Sequence, residues 1–373
     1  MKKVLLTATV QSHICQFHRP LAKLLHENGY EVHVAARNNL AEKNGLKLDF
    51  ADKVFDVNFA RSPLSKNNLM AYKQMKKLLT ENHYEVIHCN TPMGGMITRL
   101  AADKYRKKGT KVFYTAHGFH FYKGSSKKSW LIYYPIEKSM AKKTDKLITI
   151  TKEDYTLASS KFKTEVFHVH GVGVNSKKYE LFTEEQKLRT RKEFGFGENE
   201  PLLLCVGELL VNKNQKTIIN AMSDIVKKYP DCKLILAGNG SEEHNLKALV
   251  NELGLQKNVV FLGYCLILQK YANICDVVVS CSYREGLPLN IMEAMLCKKP
   301  VVASVNRGHK ELVTDGRTGY LVNPDDSKSF ADNIIKLLDD KKLRTELGEN
   351  AYEDVQQFTD DSVTEELRLL YEL

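Results

Sequence analysis

The sequence lacks the cysteine spacings from which disulfide scaffolds and zinc ribbons are built. Its eight cysteines include no CxxC pair. Most of them lie in or beside apolar runs such as LLLCVG and ANICDVVVSCS, where a free thiol behaves as a small hydrophobic side chain. We therefore expect reduced cysteines in a cytosolic protein, with neither a disulfide nor a zinc site among them. They are Cys15, Cys89, Cys205, Cys232, Cys265, Cys275, Cys281 and Cys297.

Long hydrophobic runs are also absent. No stretch approaches the roughly 18 to 20 apolar residues that a membrane-spanning helix requires. The N-terminal MKKVLLTATVQSH has two lysines and a short apolar run, but this run stops at Gln11 without a small-residue cleavage site. It predicts a first β-strand and not a signal peptide, so we expect a soluble or peripheral protein.

The chain has no internal repeat and no low-complexity segment. Its 373 residues exceed what one hydrophobic core usually supports, and 43% hydrophobic with 27% charged residues is an ordinary globular composition. We predict an N-terminal domain over 1–175, a C-terminal domain over 176–357, and a last helix over 358–373 that packs back on the N-terminal domain.

Short β-like runs alternate with amphipathic helical patterns in both halves, which is typical of parallel α/β architecture. We predict two doubly wound, Rossmann-like domains that face a central cleft with the carboxyl ends of their strands, where such sheets bind ligands. The chemistry is therefore expected on loops that follow strands. The predicted strands are KKVLLTATV, YEVHVAAR, YEVIHCN, TKVFYTA and DKLITIT in the first half, and PLLLCVG, CKLILAG, NVVFLG, DVVVSCS and PVVAS in the second.

The most informative loop is SYREGLPLNIME, residues 282–293, directly after the strand DVVVSCS. Gly286 permits a tight turn, Pro288 suits the first helical position, and free N–H groups at the helix start form a site for a diphosphate. Glu285 precedes the helix and Glu293 lies roughly 8 Å deeper, so Glu285 can accept from a sugar hydroxyl and Glu293 from a ribose. The alternative is that both glutamates face solvent.

This segment resembles a known family. Its Glu-x7-Glu pattern, followed by KKPVVASVNRGHKELVTDGRTGYLVNPDD, is similar to the nucleotide-binding signature of family 4 glycosyltransferases, which have the GT-B fold. The segments VGELLVNKNQKTIINAM, LAGNGSEEHNLKALV and NVVFLGY fall in the expected order, and the resemblance covers essentially the whole chain. IHCNTPMGGMITRLAA and FYTAHGFHFYKG resemble the branch that builds bacterial exopolysaccharide and capsule.

The resemblance implies transfer of a sugar, with retention of configuration, from a UDP-sugar to a polyprenyl-diphosphate-linked saccharide. It further implies a hexose or an N-acetylhexosamine as the transferred sugar. The acceptor hydroxyl attacks the face that the diphosphate leaves, and a donor phosphate oxygen takes its proton. The alternatives are a sugar-nucleotide 2-epimerase on a similar scaffold and an inactive binding or scaffolding subunit of a polysaccharide assembly complex.

In the C-terminal half, the resemblance assigns the donor site. Lys213, in the loop after PLLLCVG, neutralises the diphosphate and joins Glu285 as a catalytic residue. Relatives commonly carry an arginine after the glycine of this strand, but Gly207 is followed here by Glu208. Arg284 and Arg307 are the candidates to replace that cation. The residues assigned to donor binding are Gly207, Gly263, Tyr264, Arg284, Gly286, Leu287 and Glu293.

In the N-terminal half, His117 follows the strand TKVFYTA, so its imidazole is expected to project from a strand end. The family resemblance places a histidine here beside the reacting sugar, which makes His117 the third catalytic candidate. The first loop, TVQSHICQFHRP, departs from the paired-glycine loop of many relatives. Its polar residues His13, His18 and Arg19 are assigned to the acceptor side.

No DxD motif stands at a strand end where it could bridge a metal ion to a diphosphate; the pairs 325–326 and 360–361 lie in helical regions late in the chain. We expect no metal ion and no other cofactor, the nucleotide-sugar being a co-substrate. The charge on the leaving diphosphate is instead carried by the helix dipole, Lys213 and backbone amides.

Positive charge is concentrated in the first half. Residues 1–180 hold 31 Lys and Arg against 15 Asp and Glu, a net +16, whereas residues 181–373 hold 24 against 30, a net −6. The run from Lys123 to Lys146 interleaves lysines with Trp130, Tyr133 and Tyr134, and we expect it to bind the anionic inner face of the plasma membrane with these aromatics at the interface. The alternative is a solvated basic face with the aromatics in the core. Nucleic acid is not expected as a partner, because no recognised binding motif accompanies the charge.

Overall fold

The computed structural model of the chain describes residues 2–42, 45–122 and 124–373. Lys123, the first lysine of the basic run, lies outside the described residues. The chain forms two compact units: one holds the chain up to Gly173 together with Asp360–Leu373, and the other is Val174–Thr359. The sequence predicts the corresponding divisions after residues 175 and 357.

The N-terminal unit alternates strands with helices. Its elements in chain order are β1 (Lys2–Val10), α1 (Gln11–Phe17), α2 (Arg19–Glu27), β2 (Tyr30–Arg37), β3 (Lys53–Asp56), α3 (Asn67–Glu81), β4 (Val86–Asn90), α4 (Pro92–Arg106), β5 (Lys111–Ala116), α5 (Lys127–Ala141), β6 (Lys146–Thr149), α6 (Lys152–Lys161) and β7 (Glu165–His168). The strands form one parallel sheet in the order β3-β2-β1-β4-β5-β6-β7. This order runs outward on both sides of β1, as in a doubly wound fold.

The C-terminal unit repeats this pattern. Its elements in chain order are α7 (Glu184–Glu193), β8 (Leu202–Val206), α8 (Gln215–Lys228), β9 (Lys233–Ala237), α9 (Glu243–Glu252), β10 (Val259–Gly263), α10 (Leu268–Ile274), β11 (Val277–Ser280), α11 (Leu289–Leu296), β12 (Val301–Ser304), α12 (Arg307–Leu312), β13 (Gly319–Val322), α13 (Ser327–Asp339) and α14 (Lys341–Val355). The six strands form a parallel sheet in the order β10-β9-β8-β11-β12-β13. The predicted α/β class with two doubly wound domains is confirmed.

All ten strands predicted from the sequence are present, and three further strands were missed. These are β3, β7 and β13, which have four residues each and lie at sheet edges. An edge strand packs on fewer sides and needs no continuous apolar run. In β3 three of the four residues are exposed, so the pattern that identifies the central strands is absent there.

The central strands are buried on both faces. Along β1, Val4 and Leu6 pack into one cluster of buried side chains, whereas Leu5 packs into another on the opposite face. Each of the three is fully buried, and burial of such an aliphatic side chain stabilises the fold by roughly 1.5–3 kcal/mol. Helices therefore cover both faces of this sheet, which leaves the strand ends as the places for chemistry.

The last helix, α15 (Asp360–Tyr371), packs on the N-terminal unit. Its Val363 and Leu370 are buried in the same cluster as Leu6. The Tyr371 hydroxyl is hydrogen-bonded to Nδ1 of the buried His88 at 2.6 Å. Burial lowers the pKa of His88 to about 3, so this histidine is neutral at physiological pH. The final helix is thus held by apolar packing and by polar contacts, among them this buried hydrogen bond.

Replacing Tyr371 by phenylalanine is expected to lower the free energy of unfolding by about 1–3 kcal/mol, because Nδ1 of His88 then stays buried without a partner. Urea unfolding measures the change. Tyr155→Phe is the control, because the Tyr155 side chain is 39% exposed and its replacement should change stability by less than about 0.5 kcal/mol. Equal losses in the two variants would contradict the role given to the His88–Tyr371 contact.

Candidate active site

Lys213 and Glu285 meet at the carboxyl edge of the C-terminal sheet. Lys213 lies in the loop after β8 and Glu285 in the loop after β11, and these two parallel strands are paired. The Lys213 Nζ lies 2.6 Å from the Glu285 Oε1, with the two side chains 24% and 13% exposed. Two residues that the sequence singled out separately therefore form one partly buried ion pair.

Hydrogen bonds hold the two loops together on either side of this pair. The Tyr283 N–H donates to the Asn212 carbonyl at 2.9 Å, and the Asn212 side-chain amide donates to the Arg284 carbonyl at 3.0 Å. Asn214, next to Lys213, has a left-handed backbone with φ of 52°, and its side-chain amide donates to the Pro324 carbonyl at 2.8 Å. The backbone under the ion pair is thus fixed from both loops. The Arg284 side chain is exposed.

The turn after Glu285 packs closely against the start of α12. A Cβ on Gly308 would lie 2.4 Å from the Gly286 carbonyl oxygen, so only glycine fits at position 308. Helix α11 then begins at Leu289, and Pro288 is its N-cap. The prediction that Pro288 takes the first helical position is therefore off by one residue, because its ψ of 113° is extended. The first N–H groups of α11 follow a turn held in place by α12.

Glu293 is the fifth residue of α11 and is half-buried. Burial raises the pKa of its carboxyl above the ordinary value, while the neighbouring Tyr179 hydroxyl and the Lys178 ammonium act in the opposite direction. The Asn290 side-chain amide donates to the Val206 carbonyl at 2.8 Å and ties this helix to the end of β8. The two glutamates therefore differ in environment: Glu293 is withdrawn from water, whereas Glu285 is ion-paired with Lys213. The alternative that both face solvent is wrong.

Glycines at three neighbouring strand ends pack backbone against backbone. A Cβ on Gly238 would lie 2.1 Å from the Gly207 carbonyl oxygen, and the Gly238 N–H donates to the Gly263 carbonyl at 2.8 Å. Gly263 itself has φ of +65°, in the left-handed region. These residues end or follow β8, β9 and β10, so at three neighbouring positions of the carboxyl edge the chain contributes backbone and no side chain of its own.

Two other residues of the predicted donor site, Tyr264 and Leu287, belong to the same unit, as does Glu208. Tyr264 is 61% exposed, and Leu287 is half-buried against the core of the unit. Glu208, which follows Gly207, is exposed and makes no ion pair with any described residue. Its carbonyl accepts from the Gln215 side-chain amide at 3.0 Å, so the backbone and not the carboxylate of Glu208 supports the loop.

A second group of polar residues lies in the N-terminal unit, where four histidines cluster. The Nε2 atoms of His13 and His117 lie 3.2 Å apart, and the ring centre of His18 lies 5.5 Å from that of His13 and 6.2 Å from that of His117. His88 adjoins His18, with ring centres 6.2 Å apart. The sequence predicted His13, His18 and His117 as site residues, and the structure brings all three together.

Burial keeps these imidazoles neutral. It lowers the pKa of His117 to about 4 and holds the pKa values of His13 and His18 well below the ordinary value. For His13 and His18 the neighbouring histidines act in the same direction, because two like charges would repel at this distance. At neutral pH the cluster therefore offers uncharged imidazoles that accept or donate hydrogen bonds.

Sequence reasoning missed Asn90 as a member of this cluster. Its Oδ1 lies 3.0 Å from Nε2 of His117, and the side chain is fully buried at the carboxyl end of β4. The next residue, Thr91, has φ of 63° and leads into α4. The rule that identified His117, a polar side chain at the end of a parallel strand, would also have identified Asn90 in YEVIHCN.

Arg19 does not join the histidines. It is the first residue of α2, and its guanidinium is paired with Asp49 at 2.6 Å and lies over the Phe50 ring. Both members of the ion pair are more than half exposed. The acceptor role predicted for Arg19 stays a prediction. In the structure its side chain contacts Asp49 and Phe50 and not the histidines.

Comparisons with known proteins show the family to which the chain belongs. The model of the family "Glycosyl transferase 4-like" matches residues 3–151, and that of "Glycosyl transferases group 1" matches residues 186–354. EpsD of Bacillus subtilis (strain 168), which is named as a glycosyltransferase, is 39% identical to this chain over 372 residues. The match covers 99% of this chain and 96% of EpsD. The chain belongs to the family 4 glycosyltransferases.

Two further similarities extend this result. The UDP-Gal:alpha-D-GlcNAc-diphosphoundecaprenol alpha-1,3-galactosyltransferase of Escherichia coli is 27% identical over 318 residues, which is 82% of this chain and 81% of that protein. The crystal structure of Anabaena Alr3699/HepE in complex with UDP superposes with a TM-score of 0.81 over 100% of both chains at 22% identity, which shows the GT-B fold. Family membership favours a glycosyltransferase over the 2-epimerase and the inactive subunit.

Helix α5 of the glycosyltransferase bears on one sequence interpretation. Trp130, Tyr133 and Tyr134 pack against the core of the N-terminal unit, and the Trp130 indole donates to the Tyr122 carbonyl at 3.3 Å. These contacts favour the alternative interpretation, in which the aromatics lie in the core: the Trp130 and Tyr134 ring centres each lie 5.5 Å from that of the buried Phe121. The exposed apolar side chains of this helix are aliphatic: Leu131 is 79% exposed and Ile132 is 52% exposed.

A buried ion pair fixes α5 on the unit. The Arg99 guanidinium is fully buried, pairs with Glu137 of α5 at 3.0 Å, and lies 3.7 Å from the centre of the Tyr114 ring. A buried pair of this kind specifies one orientation of the helix, because any other leaves a charge without its partner. In this orientation of α5, the aromatic side chains face the core of the unit and Leu131 and Ile132 face outward. Within the described residues, no helix has both the length and the apolar character needed to cross a membrane.

Proposed function

We propose that this glycosyltransferase moves a sugar from a UDP-sugar to a polyprenyl-diphosphate-linked saccharide in exopolysaccharide or capsule synthesis, with retention of anomeric configuration. The observation that carries the proposal is the Lys213–Glu285 ion pair at the carboxyl edge of the C-terminal sheet, next to the start of α11. A cation, a carboxylate and a helix N-terminus together provide contacts for a diphosphate and for the sugar attached to it.

The relatives support the choice of substrates. The Escherichia coli relative is named for a UDP-galactose donor and an undecaprenyl-diphosphate-linked acceptor, and the Anabaena structure contains UDP. We infer the same classes of donor and acceptor for this chain. The transferred sugar is a hexose or an N-acetylhexosamine.

The donor contacts divide among the residues of the C-terminal unit. Lys213 neutralises the diphosphate together with the α11 N-terminus, Glu285 accepts from a sugar hydroxyl, and Glu293 accepts from the ribose. The glycine-bounded strand ends take the base through backbone groups. The exposed Arg284 supplies the phosphate cation that Glu208 does not.

The histidine cluster binds the acceptor side of the reaction. His117, neutral through burial, donates or accepts a hydrogen bond at a sugar hydroxyl, and His13 and His18 bind the acceptor. The acceptor oxygen forms the new bond to the anomeric carbon on the face from which the diphosphate leaves. Its proton passes to an oxygen of that diphosphate, so no side chain is needed as general base.

The reaction is tested by mixing the purified protein with UDP-sugars and measuring released UDP with and without a polyprenyl-diphosphate-linked saccharide. We expect UDP release that depends on the acceptor, and a product whose anomeric configuration by NMR equals that of the donor. Hydrolysis independent of acceptor, or an inverted product, would contradict the proposal. Epimerised UDP-sugar without transfer would instead indicate the 2-epimerase.

The same assay tests whether a metal ion takes part in leaving-group chemistry. We expect transfer to persist in excess EDTA, because Lys213 and the helix N-terminus supply the positive charge at the diphosphate. Transfer that stops in EDTA and returns with added Mg²⁺ or Mn²⁺ would show that the donor needs a metal ion.

The enzyme also needs access to a lipid-linked acceptor, and we infer that α5 binds the inner face of the plasma membrane. Leu131 and Ile132 protrude from the helix, and Lys127, Lys128 and Lys142 are exposed near its two ends. Apolar side chains flanked by lysines suit the boundary between anionic headgroups and acyl chains. The surface attraction contributes about 1 kcal/mol for each well-placed lysine.

Replacing Lys127, Lys128 and Lys142 by glutamine is expected to weaken binding to vesicles of anionic lipid by on the order of 10²-fold, from about 1 kcal/mol per lysine. Vesicle sedimentation at low salt measures it, and binding should fall further as salt screens the charges. The matched control replaces Lys257, Lys341 and Lys342, three exposed lysines of the C-terminal unit, by glutamine. If both triple variants lose binding equally, net charge and not α5 is responsible.

A further inference from the structure

The three histidines His13, His18 and His117 offer metal-ligating nitrogens to a common point. One ring nitrogen of each lies within 4.8 Å of those of the other two. Within the described ranges, this is the one group of three or more histidine, cysteine, aspartate or glutamate side chains with that convergence. Nothing in the sequence signals it, because the residues are separated by 5 and 99 positions.

The spacing fits a tetrahedral ion. Zinc binds imidazole nitrogen at roughly 2.0–2.1 Å, and two such ligands in tetrahedral geometry are then about 3.3 Å apart. The Nε2 atoms of His13 and His117 are 3.2 Å apart as they stand. The third nitrogen, at most 4.8 Å away, would have to approach by about 1.5 Å to complete the tetrahedron.

The cluster also has more hydrogen-bonding atoms than it can satisfy by itself. Nε2 of His117 contacts both Nε2 of His13 and Oδ1 of Asn90, yet one ring nitrogen offers either one proton or one lone pair. Nε2 of His18 is buried and has no partner among the described residues, and the same holds for Nδ2 of Asn90. Buried polar atoms left in this way are costly unless a ligand completes them.

The backbone places the three residues side by side. His13 lies in α1, and His18 joins α1 to α2 with its N–H donating to the Ile14 carbonyl at 3.0 Å. His117 follows β5 directly. A cavity of about 20 Å³ borders His18, His88 and His117, which is room for roughly one water molecule. The cavity adjoins two of the three histidines, and an ion with three protein ligands takes a water molecule as its fourth.

We propose that His13, His18 and His117 bind a divalent transition-metal ion of the Zn²⁺ type, and that the bound ion inhibits sugar transfer. Three imidazoles and no carboxylate select Zn²⁺, Co²⁺, Ni²⁺ or Cu²⁺ over Mg²⁺, Ca²⁺ or Mn²⁺, which prefer oxygen. Inhibition follows because the ion takes the nitrogens of His117 and His13 that contact the sugar and the acceptor. The inhibitory part rests on the proposed function, whereas the binding part does not.

Metal binding is tested on the untagged full-length protein with Zn²⁺ by calorimetry and with Co²⁺ by visible absorption. We expect one ion per chain, a Co²⁺ spectrum of the tetrahedral type, and no binding of Mg²⁺. His13→Gln and His18→Gln should each raise the dissociation constant at least tenfold. His244→Gln, which replaces an exposed histidine of the C-terminal unit, is the control and should leave it unchanged.

Absence of Zn²⁺ binding, or binding unchanged in both cluster variants, would overturn the site. If His18→Gln does not fold, His13→Gln, whose side chain is partly exposed, gives the answer alone. For the inhibitory part, transfer is measured at free Zn²⁺ concentrations fixed by a metal buffer, and EDTA should restore it fully. Zinc that binds without slowing transfer overturns the inhibition only, whereas absence of transfer even in EDTA overturns the proposed function and leaves the metal site standing.

Discussion

Lys213→Ala is expected to lower the turnover number by on the order of 10²–10³-fold, the usual effect of removing one group that stabilises developing negative charge. In the structure its ammonium is held 2.6 Å from Glu285, so it is in place before the donor arrives. The variant loses this cation and also leaves the partly buried Glu285 carboxylate unpaired next to the diphosphate. Both effects act against departure of UDP.

The control for this variant is Lys227→Ala. Lys227 belongs to an ion pair of the same length, 2.6 Å to Asp224, but that pair is exposed and lies towards the far end of α8. An exposed pair contributes little, so turnover and stability should stay near the wild-type values. Single-turnover kinetics with saturating donor measure both variants. Turnover of Lys213→Ala within threefold of wild type would remove Lys213 from the chemistry.

The Lys213–Glu285 pair also shows how much of the site could be predicted from the sequence. Each residue was identified from its own motif, at the end of its own strand. Their contact spans 72 positions and depends on β8 and β11 being neighbours in the sheet. The order of strands in a parallel sheet is decided by tertiary packing, so a motif identifies the residue but not its partner.

The orientation of α5 could not be predicted from the sequence, for a different reason. Its residues 130–134 read WLIYY, which is apolar around the helix and gives no preference for one face. In the observed orientation Arg99, which is buried in α4, pairs with Glu137 of α5. Because Arg99 looks from the sequence like one more surface arginine, the inward turn of Trp130 could not be predicted.

The histidine cluster was predicted in part: its residues were identified from the sequence, but their arrangement was not. The strand-end rule found His117, and the position of the first loop suggested His13 and His18. What the sequence could not give is that the three rings converge, since α1 has to turn into α2 at His18 for this to happen. Short helices joined at one residue have no pattern that fixes their angle, so the convergence appears only in the structure.

Glu293→Ala is expected to weaken binding of UDP by about 10- to 100-fold, the loss of a hydrogen bond to a charged group of about 1.5–3 kcal/mol. Glu293 is half-buried in α11, and burial raises the pKa of its carboxyl, so under the proposed function a ribose hydroxyl would add a hydrogen bond to the one from the neighbouring Tyr179. Glu285→Ala should behave in the opposite way. It frees the Lys213 ammonium from its ion pair, so UDP is bound at least as tightly while turnover falls, because only the sugar loses a contact.

Isothermal titration with UDP distinguishes the Glu293→Ala and Glu285→Ala variants. Glu293→Gln, which keeps the shape of the side chain and one acceptor oxygen, should lose less affinity for UDP than Glu293→Ala. Equal loss of UDP affinity in Glu293→Ala and Glu285→Ala would show that the two carboxylates share one role, and the assignment of ribose to Glu293 and sugar to Glu285 would then be wrong.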